Sequence, residues 1–140
     1  MSMGGCYIAI LENELEKEIS NQSLEKNIDN YERCTLEQAW DAFRILFGDE
    51  IYGEDFQLSL GEQAFIHNLE NVKLISEQLN SISEIQFKSM LSETSFKDED
   101  FYWNNIWTKE PEDMLNFFNS MKEFFNKSAQ TNKIVLFYIA

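Results

Sequence analysis

The sequence predicts a single α+β domain, a small sheet that includes the N- and C-terminal strands packed with about four to five helices. Three observations carry this. The 140 residues make one domain on ordinary length grounds, with an expected radius of gyration of roughly 14 Å. Apolar, β-rich runs stand at both ends of the chain. Between them, apolar residues recur mostly at helical spacing. With 44% hydrophobic residues, among them 12 Phe, 5 Tyr and 3 Trp, the chain has enough apolar surface for a sizeable core and does not read as disordered. No internal repeat, low-complexity tract or Pro/Gly/Ser linker divides it, so one domain is expected over residues 1–140.

At the N-terminus, Gly4 and Gly5 lead into CYIAIL, which predicts a strand over Cys6 to Leu11. Its counterpart is the terminal KIVLFYIA, dense in β-branched and aromatic residues, and the two are expected to be neighbours in one sheet. Asn13 to Ile19 places Leu15 and Ile19 at i, i+4 behind acidic residues that suit the positive end of a helix dipole, predicting a short helix. Thr35-Leu-Glu-Gln38 matches a capping box, after which Ala39, Trp40, Phe43 and Phe47 recur at helical spacing until Gly48 stops the run. Asn68 to Asn80 is amphipathic through Val72, Ile75 and Leu79. A second capping signature, Ser83-Glu-Ile-Gln86, opens a short helix carrying Ile85, Met90 and Leu91. Pro111, the only proline, suits a first helical turn, with Thr108 as an upstream cap. Behind it Met114, Phe117, Phe118, Met121, Phe124 and Phe125 form an apolar stripe, and Asn132 closes the helix before the last strand.

This order of motifs resembles a known family. MSMGGCYIAIL at the start, the helix LEQAWDAFRILFGD, then LGEQAF, a helical pair, an aromatic segment ending in IW, and a long helix leading to VLFYIA are together similar to the YfbM-like family of bacterial domains of unknown function. The likeness runs over nearly the whole chain. It implies a single α+β domain and brings no known reaction or cofactor. Where that family's Trp-containing helix tends to show histidines, this chain has Asp41 and Arg44, so any chemistry those histidines served is lost here.

The motif inventory excludes more than it offers. There is no GxGxxG, P-loop or GxSxG, and glycine is only 5 of 140 residues, which argues against a nucleotide-binding loop. His67 is the only histidine, its neighbours supply no metal-ligand spacing, and a helix-start or surface position without a catalytic role is expected for it. Cys6 and Cys34 form no CxxC pair; buried thiols in a reducing compartment are expected, a disulfide being the alternative. Asp49, Glu50, Glu54 and Asp55 in GDEIYGEDF come nearest to a hard-cation site, yet their spacing is not that of an EF-hand loop, and no metal or cofactor is expected. The apolar run Ile134 to Ala140 is far short of the roughly 20 residues a membrane span needs. The N-terminus lacks the basic residues and cleavage site of a signal peptide, so a cytoplasmic protein is expected.

Charge is the informative feature. Eleven basic residues stand against 25 acidic ones, a net charge of −14 at pH 7, which excludes a phosphate-tracking nucleic-acid binder and a binder of anionic membranes. Residues 35–69 carry seven acids against one base, and residues 98–113 six against one. The second segment interleaves Asp98, Glu99, Asp100 and Glu110 with Trp103 and Trp107. Aromatic anchors inside an acidic rim suit a hot spot for a basic protein partner. The expectation is therefore a non-catalytic acidic binding protein, most concretely of the immunity or antitoxin type that neutralises a basic toxin such as a nuclease, with those six residues in contact. The alternative is a small enzyme or ligand-binding domain whose cleft is lined by Trp40, Asp41, Arg44 and Glu62, a carboxylate paired with arginine beside an indole.

Overall fold

In the computed structural model, residues 4–37, 39–56, 63–93 and 111–139 are described. Strand β1, Gly5–Ile10, is buried along its whole length. It pairs antiparallel with β2, Glu32–Glu37, on one side and with β5, Ile134–Ile139, on the other. Strand β5 also pairs antiparallel with β4, Gln63–His67, which in turn pairs with the short β3, Glu54–Asp55. The sheet order is β2-β1-β5-β4-β3, so the two terminal strands are neighbours at its centre, as their composition predicts.

A strand in the middle of a sheet with helices on both faces must be apolar on both sides, and alternate residues then feed separate cores. Val135, Phe137 and Ile139 of β5 join Tyr7 and Ala9 in the larger core. That core is covered by α3, Trp40–Phe47, α4, Leu69–Asn80, α5, Glu84–Glu93, and α6, Pro111–Gln130. Ile134 and Leu136 face the smaller core, closed by α1, Glu12–Ser20, and α2, Leu24–Asn27, through Leu15 and Leu24. The long helix buries Met114, Phe118, Met121, Phe124 and Phe125 of the stripe its spacing predicts, and Phe117 is partly buried against the same core. Helices α4 and α6 are tied by polar contacts, Ser76 Oγ donating to Asn126 Oδ1 at 2.5 Å and Asn126 Nδ2 to Asn80 Oδ1 at 3.0 Å.

Local expectations fare unequally. Asn68 caps α4, its Oδ1 accepting from the Asn71 amide at 2.8 Å. The box at Ser83 forms in full: the Gln86 amide donates to Ser83 Oγ at 3.1 Å and the Ser83 amide to Gln86 Oε1 at 2.8 Å. By contrast, Thr35 to Glu37 belong to β2, with Cys34 and Leu36 buried between exposed neighbours, and α3 begins only at Trp40. Ile85, expected on the apolar face of α5, is 82% exposed, and Phe87 and Leu91 fill that role. Gly48 ends α3 at φ 87° and Asn132 follows α6 at φ 54°, both in the left-handed region that closes helices. Thr108 lies outside the described residues.

Cys6 and Cys34 are both buried and free. Cys34 is the register partner of Tyr7, while Cys6 is the partner of Thr35, so the two thiols leave opposite faces of the sheet and cannot form a disulfide without moving a strand. Burial pushes the Cys34 thiol up to about 12, and the Cys6 thiol adds to the shift.

Candidate functional site

The cleft expected around α3 is a self-paired cluster. Asp41 is 5% exposed, and its Oδ1 accepts from Arg44 Nε at 3.0 Å across one helical turn. Burial opposes the charge on Arg44, but the Asp41 hydrogen bond and charge outweigh it and hold the guanidinium above its ordinary value. Half-buried Trp40 meets Tyr52 edge to face at 6.3 Å, and Tyr52 stacks on Phe137 at 4.2 Å. A Cβ at Gly5 would lie 2.6 Å from Trp40 Cβ, so glycine lets the indole sit over β1. The Tyr52 hydroxyl is buried with no hydrogen-bond partner among the described residues. Burial pushes its phenol well above the usual range, and the Asp41 carboxylate adds to this, while the Arg44 charge and the Arg44 backbone oppose it. Thus Trp40, Asp41 and Arg44 do come together, with Tyr52 beside them. Glu62 lies outside the described residues, as do Asp98, Glu99, Asp100, Trp103, Trp107 and Glu110.

A second site, missed in the sequence, is built around His67. The histidine is neither at a helix start nor on the surface: it ends β4, opposite Val135, is 1% exposed, and meets Phe125 edge to face at 5.8 Å. Alternation in QAFIH puts His67 on the same face of the sheet as Phe65, under the larger core. Its Nε2 lies 2.9 Å from the Ile51 carbonyl, which also accepts the Tyr7 hydroxyl at 2.7 Å. A carbonyl only accepts, so Nε2 carries the proton and Nδ1 is left with a lone pair. Nδ1 has no partner among the described residues. Burial lowers the pKa of this imidazole, with the Ile51 hydrogen bond and the Glu54 charge opposing the shift, so the ring is neutral at pH 7.

The same two hydrogen bonds pin the 3-10 turn Asp49–Ile51 against the sheet. Gly53, at φ 108°, continues it: a Cβ there would lie 2.3 Å from the Ile66 carbonyl oxygen, so only glycine permits the approach. The result is a cavity of about 250 Å³ lined by Glu50, Gly53, Glu54 and His67 on one side and by Asn71, Leu74, Ile75 and Gln78 of α4 on the other. A larger cavity, about 390 Å³, lies between β2 and α6, but Lys127 on its wall already pairs with Glu32 at 2.7 Å and Arg33 with Asp29. Asp49, Glu50, Glu54 and Asp55, by contrast, are all exposed, and no Lys or Arg pairs with them among the described residues. Among the described residues no three His, Cys, Asp or Glu side chains converge as metal ligands. No helix among the described residues is long and apolar enough to cross a membrane.

Comparison with known proteins agrees with the fold and adds no chemistry. No curated protein matches the sequence. Among solved structures, the chain is similar to a protein of unknown function, YfbM from Escherichia coli, with a TM-score of 0.60 at 12% identity, covering 98% of this chain and 99% of that one; at that identity the likeness concerns the fold alone. The model of a domain of unknown function, DUF1877, matches residues 1–138, and the chain therefore belongs to that family, a YfbM-like α+β domain.

Proposed function

We propose that this is a non-catalytic binding protein whose acidic surface engages a basic protein, most concretely a cationic toxin such as a nuclease that it neutralises as an immunity protein or antitoxin. The observation that supports this best is the arm of residues 49–55, where Asp49, Glu50, Glu54 and Asp55 are exposed and without a Lys or Arg pair among the described residues. The arm is held in one place by the Tyr7 and His67 hydrogen bonds to Ile51. Carboxylates fixed before contact steer a cationic partner and set its register without the entropy cost of ordering a loop. Asp98, Glu99, Asp100, Trp103, Trp107 and Glu110 supply the second acidic stretch, and with it the aromatic anchors, on composition alone. The working compartment of the proposal is the cytoplasm, in keeping with two free thiols.

The test is purification of the tagged protein from its native cells at low and high salt, followed by mass spectrometry and by association kinetics with whatever is retained. A single basic protein held near one-to-one at low salt, and bound more slowly by an Asp49→Asn, Glu50→Gln, Glu54→Gln triple variant, is the expected result. Retention of no basic protein at either salt would sink the proposal. A second reading, a small-molecule cleft at Trp40, Asp41, Arg44 and Glu62, is favoured by one observation, the buried Tyr52 hydroxyl without a hydrogen-bond partner among the described residues beside the Asp41–Arg44 pair. A ligand screen by NMR that moves the Trp40 indole resonance in the wild type, and not in Asp41→Asn, would shift the weight to it.

A further inference from the structure

The geometry points to the outer edge of β2 as a docking groove that takes an extended, basic segment of the partner as an added strand; this rests on the binding reading above for the partner's charge and names what the partner offers. Strand β2 ends the sheet on one side and pairs with β1 alone, while the strand at the other end, β3, has only two residues. No strand among the described residues pairs with the outer side of β2, so its outward amides and carbonyls form a template for another strand. A groove follows that edge. One cavity, about 390 Å³, is lined by four consecutive residues, Glu32 to Thr35. Alternate residues of a strand leave opposite faces, so a cavity bordered by all four lies beside the backbone, along the edge. A second cavity, about 370 Å³, continues past Thr35 to Glu37, and the two share Thr35 and Ser120.

The facing wall is one stripe of α6, in which Asp113, Asn116, Ser120, Glu123 and Lys127 are all exposed. From Asp113 to Lys127 the helix rises about 21 Å, and Glu32 to Glu37 of the strand cover about 17 Å, so the two flank the groove over its whole length. At the Glu32 end the charges cancel, because Glu32 pairs with Lys127 between the two walls and Arg33 pairs with Asp29. At the Glu37 end they do not. Glu37 and Asp113, with Glu123 farther along, are exposed carboxylates with no Lys or Arg pair among the described residues. The occupant must bring main-chain donors and acceptors for β2 and positive charge for the Glu37 end. A second copy of a chain at −14 brings the wrong charge, and a compact small molecule leaves most of so long an edge uncovered. An extended segment with a Lys or Arg where it meets Glu37 and Asp113 supplies both.

The probe is a five-residue peptide, lysine-valine-threonine-valine-lysine, acetylated and amidated at its ends, so that either strand direction brings a lysine to Glu37. One control carries glutamate in place of lysine. The other is the lysine peptide with its three central amides N-methylated, which keeps the charge but cannot extend a sheet. Amide exchange of the full-length protein, followed by NMR, reads the result. The β2 amides that exchange fast in the free protein are expected to slow at saturating lysine peptide and to ignore both controls. Affinity is expected to be about fivefold weaker in the Glu37→Gln, Asp113→Asn double variant and unchanged in Glu16→Gln, an exposed site on α1. Amides that exchange alike with and without the lysine peptide, or that respond equally to its N-methylated form, overturn the proposal. A free protein that sediments as a dimer with those amides already slow gives the edge to a second copy and overturns it as well. The two readings separate in the same experiments. A basic partner retained from cells that leaves the β2 amides unprotected removes the groove and keeps the binding function, whereas peptide held at β2 with no basic partner retained keeps the groove and removes the function.

Discussion

One carbonyl oxygen organises the acidic arm: Ile51 accepts from Tyr7 and from His67, residues 44 and 16 positions away in sequence. That arrangement fixes the tautomer of His67, and the tautomer fixes a pH dependence. In the unfolded chain the imidazole titrates near 6.5, about its ordinary value, while burial lowers it in the fold. Above that value the ring is neutral in both states and the fold loses nothing. As pH falls through it, the unfolded chain takes up a proton that the fold resists, so stability falls with a limiting slope of about 1.4 kcal/mol per pH unit. Urea unfolding between pH 7.5 and 5.5 is expected to show this loss in the wild type and a flatter profile in His67→Gln. Equal slopes would mean that His67 does not govern the window. None of this was legible from the sequence. A lone histidine flanked by Ile66 and Asn68 carries no spacing signal, and the partners that define it, Tyr7, Ile51 and Glu54, are assembled only by the sheet. The α3 cluster was more legible, because Asp41 and Arg44 are one turn apart on a helix and helical spacing alone brings them together.

At the scale of elements, two segments with the same four-residue capping pattern meet different fates. Ser83 to Gln86 forms both reciprocal hydrogen bonds at the start of α5, where no strand competes for the backbone. Thr35 to Glu37 pair instead with β1, since burying Cys34 and Leu36 on one face of a central sheet outweighs a cap of about 1 kcal/mol. The period-two alternation from Arg33 to Glu37 was present beside the capping pattern, and only the neighbouring strand decides between them. The terminal strands and the long α6 were legible because their apolar patterns are long and unambiguous, whereas β3 spans two residues and exists only through its pairing with β4. Ser83→Ala is therefore expected to lower stability by about 1 kcal/mol, read by urea unfolding, and Thr35→Ala to show no loss attributable to a helix cap. A cost at Thr35 accompanied by reduced helical circular dichroism would contradict the assignment of β2.

The whole molecule carries a charge of −14 on a chain that must also fold. Like charges on one compact surface repel, so each exposed carboxylate left unpaired costs the monomer something in isolation. On the 49–55 arm the backbone that carries those groups is anchored by Tyr7 and His67 at Ile51 and by the close approach of Gly53 to Ile66, which keeps the carboxylates on one stretch of surface. Salt should therefore act with opposite sign on two observables. Raising ionic strength from 0.1 to 1 M shortens the screening length from about 10 to about 3 Å, which relieves the repulsion and raises the melting temperature of the free protein. The same change weakens long-range attraction and slows association with a basic partner. Neutralising Asp49, Glu50 and Glu54 should mimic salt in both respects. Surface changes of this kind are worth about 0.5 kcal/mol each at most, so a rise in melting temperature of about 1–4 °C is expected, together with slower association and a shallower salt slope. Calorimetry and stopped-flow kinetics on the same triple variant read the two effects side by side. A variant that melts lower than the wild type would show that the arm's carboxylates hold the fold together, and the preorganised acidic face argued for above would then be a structural element of the monomer instead of a surface kept for a partner.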